Sequence, residues 1–142
     1  MKRTDKTNSC FYCKQKVCTK KRQVWKQLIN TEYSAALLRK TKAVAKSHGL
    51  YCIRTVNGEI LYIGYSDRSV RKRLLAHCGG YDRQAIGKFL KGKDLRDFLL
   101  SWVEERKAEC LEEQFIEFAA QEQGVRPRFN MKRGRSCGRK EE

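Results

Sequence analysis

No apolar run in this chain approaches the roughly 20 residues that a membrane-crossing helix needs. The basic opening, MKRTDKTNSC, leads into no apolar stretch, so a secretory leader is not expected and the cytoplasm (or nucleus, in a eukaryotic cell) is. No internal repeat recurs along the chain. Cysteines number seven, an odd count without an export signal, which argues against a disulfide framework and for reduced thiols or, in part, metal ligands. Acidic residues are scarce at both ends. Residues 1–48 carry 13 basic and 2 acidic side chains, and residues 126–142 carry 7 and 2, whereas residues 49–125 hold 12 of each. The net charge of +16 therefore belongs to two arms around a balanced middle. That distribution points to a polyanion, nucleic acid before all others. The arm lacks the bulky apolar face that would seat it on a membrane.

The 142 residues, 40% hydrophobic, suffice for one compact domain with a modest core. Val24, Leu28, Ile29, Ala36, Leu37 and Val44 recur at helical spacing, with a break at Asn30-Thr31, which predicts one or two basic-faced helices between residues 20 and 46. LYCIRTV and EILYIG read as strands joined at Asn57-Gly58 by a two-residue turn. Ser69 is placed to cap a helix over VRKRLLAH that stops at Gly79-Gly80, and a short helix follows over DRQAIGKFL. RDFLLSWVEE predicts a third strand. A long helix from about residue 105 to 123 carries Ala108, Leu111, Phe115, Phe118 and Ala119 on its apolar stripe. The expected fold is α+β, a small three-stranded, largely antiparallel sheet flanked by helices.

A two-residue turn sets Val56 against Glu59, Thr55 against Ile60, Ile53 against Tyr62 and Tyr51 against Gly64. Tyr51 and Tyr62 then share one sheet face, and Leu50, Cys52, Leu61 and Ile63 the other, the more apolar one. Strand aromatics of this kind commonly serve packing alone. Four-residue spacing puts Arg73 and His77 on one helix face, where Arg offers a planar fork to a phosphate and His a proton near neutrality. Solvation of a basic helix face, or a helix-terminal histidine, would account for them equally. Glu112 and Glu113 flank the apolar stripe of the long helix, and such a carboxylate suits a hard divalent cation. Asn130, in PRFN, carries no signal alone.

Together these residues resemble the GIY-YIG nuclease superfamily over about residues 49–130. Gly49-Leu50-Tyr51 and Tyr62-Ile63-Gly64 match its two short motifs, with Leu50 standing where isoleucine is usual. Arg73 and His77 match its helix arginine and histidine, Glu112 its glutamate and Asn130 its terminal asparagine. The loop before Arg73 is slightly long, which leaves Arg71 as an alternative, as Glu113 is for Glu112. The resemblance implies a DNA endonuclease using one Mg²⁺ or Mn²⁺ ion. Glu112 would hold the ion and Arg73 would neutralise the transition state. Tyr51 would act as general base, Tyr62 and His77 would orient water or phosphate and pass on the proton, and Asn130 would position the glutamate side or help bind the backbone.

Cys10, Cys13 and Cys18 form the one cysteine cluster, three ligands where structural zinc takes four, so zinc stands beside free thiols. Lys20, Lys21, Arg22, Lys26, Arg71, Lys72, Arg126, Arg128, Lys132 and Arg133 are candidate phosphate contacts. The chain divides into a basic, cysteine-containing arm (1–48), helical from about residue 20, a catalytic domain (49–130) and a basic tail (131–142). So short a chain leaves specificity to the arm, the tail, a dimer on DNA or a partner subunit. Two other classes fit less well: a DNA-binding module on a nuclease scaffold, and a zinc-stabilised accessory protein.

Overall fold

A computed structural model describes residues 20–44 and 46–134; Cys10, Cys13 and Cys18 lie outside them. The first helix, α1 (Lys20–Asn30), buries Val24, Trp25 and Leu28. It stops where Thr31 turns its hydroxyl back to donate to the Gln27 carbonyl at 2.8 Å. Arg54 then anchors the exit, donating to the Ile29 and Thr31 carbonyls at 3.0 and 2.8 Å. Just beyond lies β1 (Tyr33–Ser34), paired against a sheet edge. Ser34 caps a 3₁₀ helix, Ala35–Lys40, by accepting from the Ala36 N–H. The second helix expected before residue 46 is thus this tighter one, and it ends at Lys40.

The remaining strands are β2 (Gly49–Thr55), β3 (Ile60–Ser66) and β4 (Phe98–Glu104). Pairing is antiparallel throughout, in the order β1-β4-β2-β3, so the sheet has four strands rather than three. The extra strand is two residues long, too short to show a period in the sequence. Between β3 and β4 lie α2 (Val70–Gly79), α3 (Ala85–Leu90) and a 3₁₀ turn, Leu95–Asp97. Ser69 does cap α2, accepting from the Lys72 N–H, and Gly80 ends it in the left-handed conformation. The last helix, α4 (Ala108–Gln123), ends at left-handed Gly124 and buries all five residues of the expected stripe.

Both sheet faces are covered. On one, Leu50, Cys52, Ile60 and Ile63 meet Trp25 and Leu28 of α1 and Leu111, Phe115 and Ile116 of α4. On the other, Tyr51, Ile53 and Leu61 meet Leu38, Val70, Leu74, Ile86 and Leu90. Residues 20–44 therefore supply core to both faces. No helix among the described residues is long and apolar enough to cross a membrane. Cys52 and Cys78 are buried free thiols, as expected, whereas Cys110 is disulfide-bonded.

The hairpin differs from expectation in one instructive way. Gly58 (φ 101°) closes a loop of three residues, Val56 to Gly58, with Thr55 accepting from Gly58 N and donating to the Glu59 carbonyl. A bulge follows. Arg54 pairs with Ile60 and Ile53 with Tyr62, so Leu61 is the extra residue and turns to the tyrosine face. The bulge absorbs the longer loop, and Tyr51↔Gly64 and Ile53↔Tyr62 pair as expected.

Candidate active site

Tyr51 and Tyr62 project from adjacent strands, ring centroids 6.1 Å apart. They occupy different environments. Tyr51 is fully enclosed, lying under Gly64, where an added Cβ would meet its Cζ and hydroxyl at 2.5 Å. Tyr62 is half-buried and forms a wall of a cleft of about 290 Å³ lined also by Tyr65, Ser66, Asp67, Arg73, Gln84 and Glu112. Burial, then the charge of nearby Tyr62, pushes the Tyr51 phenol well above its usual value, with Arg73 acting in the opposite direction. Burial and then Glu112 push Tyr62 up to about 12. Neither phenol ionises freely near neutrality.

The α2 face delivers Arg73 and His77 together, as their four-residue spacing requires. Arg73 lines the cleft, close enough to the Tyr51 hydroxyl for each group to shift the other's ionisation. Partial burial lowers the Arg73 guanidinium, but Tyr51, Asp82 and Tyr62 more than offset this and hold it above its usual value. Arg71 points elsewhere, donating to the Thr41 carbonyl at 2.7 Å, which leaves Arg73 as the cleft residue. His77 is fully buried behind the tyrosines, its Nε2 2.7 Å from the Tyr51 hydroxyl and its Nδ1 facing the Asp82 carboxylate. Burial pushes it down to about 4, against the pull of Asp82.

The two glutamates of α4 separate clearly. Glu112 lines the cleft, whereas Glu113 is buried, accepting from Gly134 N–H at 2.6 Å and from Arg126 at 3.1 Å. Glu113 thus tethers the chain that follows α4. Asn130 clamps the free edge of β3, accepting from Ile63 N–H at 2.8 Å and donating to its carbonyl at 2.9 Å. It borders a second cleft of about 310 Å³ that shares Tyr62, Gln84 and Glu112 with the first and continues to Phe129, Lys132 and Arg133. Asn130 supports the YIG strand rather than the carboxylate.

Several candidate phosphate contacts are engaged internally. Arg126 holds Glu113 and the Lys132 carbonyl, Arg128 pairs with Glu59 at 2.9 Å, and Arg22 lies over the Phe118 ring at 4.2 Å. Lys26, Lys72, Lys132 and Arg133 are exposed. Lys20 and Lys21 lie at the start of α1. Sequence reading missed Asp82 and Gln84, which sit between α2 and α3 where no periodicity marks them. Gln84 accepts from the Tyr62 hydroxyl at 3.1 Å.

Among the described residues no three or more His, Cys, Asp or Glu side chains converge as a metal cage. One carboxylate beside an open cleft instead suits an ion that keeps most of its waters and shares a substrate phosphate, which is the habit of Mg²⁺. Glu112 fits that part.

A carboxylate, a guanidinium and a phenol meet on one cleft, carried by a small antiparallel sheet between helices, and define a nuclease class. The GIY-YIG catalytic domain matches residues 47–121, more than half the chain, and the protein belongs to that family. The matched span holds Tyr51, Tyr62, Arg73, His77, Asp82, Gln84 and Glu112, whereas Asn130, Lys132 and Arg133 lie beyond it. No curated protein and no solved structure matches the chain.

Proposed function

We propose that the protein is a divalent-metal-dependent endonuclease that hydrolyses DNA phosphodiester bonds. The observation that carries this is the meeting of Glu112, Arg73 and Tyr62 on one cleft. The Glu112 carboxylate would hold Mg²⁺ or Mn²⁺, which when bound supplies Lewis-acid polarisation of a phosphate oxygen. Arg73 donates to a second phosphate oxygen and meets the charge that grows there as the nucleophile attacks.

The base is the coupled tyrosine pair. Tyr51, enclosed as it is, does not meet the attacking water itself. Tyr62 is the phenol that faces the cleft, and Tyr51, its ring centroid 6.1 Å behind, takes the proton onward. This reverses the roles expected from the family resemblance, and burial is the reason. Lys132 and Arg133, along the neighbouring cleft, lie where they would contact the flanking strand. Arg126 and Arg128 have other partners and serve the fold.

Cleavage of supercoiled, linear, single-stranded and branched DNA, with and without Mg²⁺ or Mn²⁺, tests the proposal. Cutting should require the ion. Arg73→Ala and Glu112→Gln should each lower the rate by at least ~10² while DNA binding persists. Glu113→Gln should chiefly cost stability, about 1–3 kcal/mol, since a buried hydrogen-bonded acceptor is weakened. Full activity in Glu112→Gln would refute the metal assignment. Tight binding with no cutting on any substrate would favour a DNA-binding module on a nuclease scaffold.

A further inference from the structure

The loop between α2 and α3 brings the Asp82 carboxylate to the buried side of the site, against His77. Hydrogen-bond polarity along this line is set from one end. The Asp82 carboxylate has only acceptors, so the His77 Nδ1 that faces it carries the ring hydrogen. The Tyr51 hydrogen is then free to point at His77 Nε2, 2.7 Å away, which must be an acceptor. A neutral imidazole with an unprotonated Nε2 carries its hydrogen on Nδ1, and Nδ1 faces Asp82. The other tautomer would set the Nδ1 lone pair against a carboxylate in a site closed to water. The side chain of His77 is 0% exposed and that of Asp82 8%.

We propose that Asp82 is a positioning residue that fixes the His77 tautomer and so gives the site a directed proton path, from cleft water through Tyr62 and Tyr51 to His77. The inference rests on the nuclease reading above for its catalytic meaning, but not for its geometry. In the step, the Tyr62 hydroxyl turns from Gln84 toward Tyr51, and water gives a proton to the Tyr62 oxygen as Tyr62 passes its own to Tyr51 and Tyr51 passes its own to Nε2. The resulting hydroxide attacks phosphorus and the bond to the departing oxygen breaks. That oxygen takes a proton from solvent, and His77 returns one along the same path, so one water is added across the P–O bond. No tyrosinate need accumulate, which suits phenols that burial holds un-ionised. Asp82 meanwhile stabilises the transient imidazolium without taking its proton.

Two further features support the assignment. Asp82 Oδ1 accepts from the Gln84 N–H at 3.0 Å, which holds the carboxylate with Oδ2 toward the ring. Gly87, on α3, gives the turn room: a Cβ there would meet the Asp82 Cβ at 2.6 Å and its carbonyl oxygen at 2.8 Å. The same short loop thus aims Asp82 at His77 and Gln84 at the Tyr62 hydroxyl.

The chain has two histidines, so imidazole ¹⁵N spectra of the full-length protein labelled at histidine resolve the tautomer, with His48→Gln to assign the signals. At neutral pH His77 should show a protonated Nδ1 and an unprotonated Nε2. Asp82→Asn, nearly isosteric, should mix or invert the tautomers and lower turnover by ~10²–10⁴ with DNA affinity unchanged. Gly87→Ala should shift the same nitrogen signals by displacing the turn. A protonated Nε2 in the unmutated protein would overturn the proposal, as would wild-type tautomer and turnover in Asp82→Asn. The spectrum is decisive even for a protein that cuts nothing, so failure of the nuclease reading and failure of this one are told apart.

Discussion

His77 joins stability to chemistry in a single side chain. It faces Asp82 through Nδ1, Tyr51 through Nε2 and the rings of both tyrosines, with Arg73 also near. Burial first, opposed by Asp82, pushes it from the ordinary 6.5 down to about 4. Between those values the unfolded chain binds a proton that the folded one refuses. Stability therefore rises with pH across this window and is lost on acidification, by about 1.4 kcal/mol per pH unit and on the order of 3 kcal/mol in all. Urea midpoints measured at pH 7 and pH 4.5 should fall steeply for the native sequence and much less for His77→Gln. Parallel losses in the two proteins would show that other groups control acid unfolding. The same low value keeps His77 neutral at physiological pH, as a proton acceptor must be.

At the scale of the element, the hairpin decides whether the site exists. The shared face of its two tyrosines was legible because alternation places residues two apart on one face, and a bulge at Leu61 repairs what the three-residue loop would have displaced. Neither the loop length nor the bulge is written in local composition, since Asn-Gly suits both loop lengths. Burial was the larger gap. Strand alternation shows which face a tyrosine takes but not what covers it, and Leu38, Val70 and Leu74 come from elsewhere in the chain to join the buried cluster that holds Tyr51. Gly64 is where this enclosure is tightest. Gly64→Ala sets a methyl 2.5 Å from the Tyr51 ring and hydroxyl, and a buried ring has nowhere to retreat. It should cost about 1–3 kcal/mol and abolish cleavage. Gly58→Ala, at a positive φ of 101° but with open space around it, should cost about 1 kcal/mol and leave cleavage intact. Thermal melts beside a cleavage assay compare the two, and equal effects on activity would mean that contact beneath Gly64 is irrelevant.

Across the whole molecule, charge was the clearest signal in the sequence and its assignment to individual residues the poorest. A net +16 predicts a polyanion without saying which guanidinium is available. That depends on tertiary partners far away in sequence. Glu59 reaches Arg128 across 69 residues, Thr41 reaches Arg71 across 30, and Glu113 claims Arg126. Each phosphate neutralised on duplex DNA steepens the slope of log affinity against log salt by ~0.9. Binding measured with chelator present, so that no strand is cut, should therefore separate the two sets. Removing Lys132 and Arg133 together should flatten the slope by about 2, because both are exposed beside the clefts. Arg128→Ala should leave it nearly unchanged, because Glu59 already holds that charge and the pair is neutral to an approaching strand. Equal slopes for the double variant and the native protein would place the DNA on another face. A slope loss near ~1 for Arg128→Ala would mean that the guanidinium leaves Glu59 for a phosphate, and that the bound strand reaches past the Asn57-Gly58 tip of the hairpin.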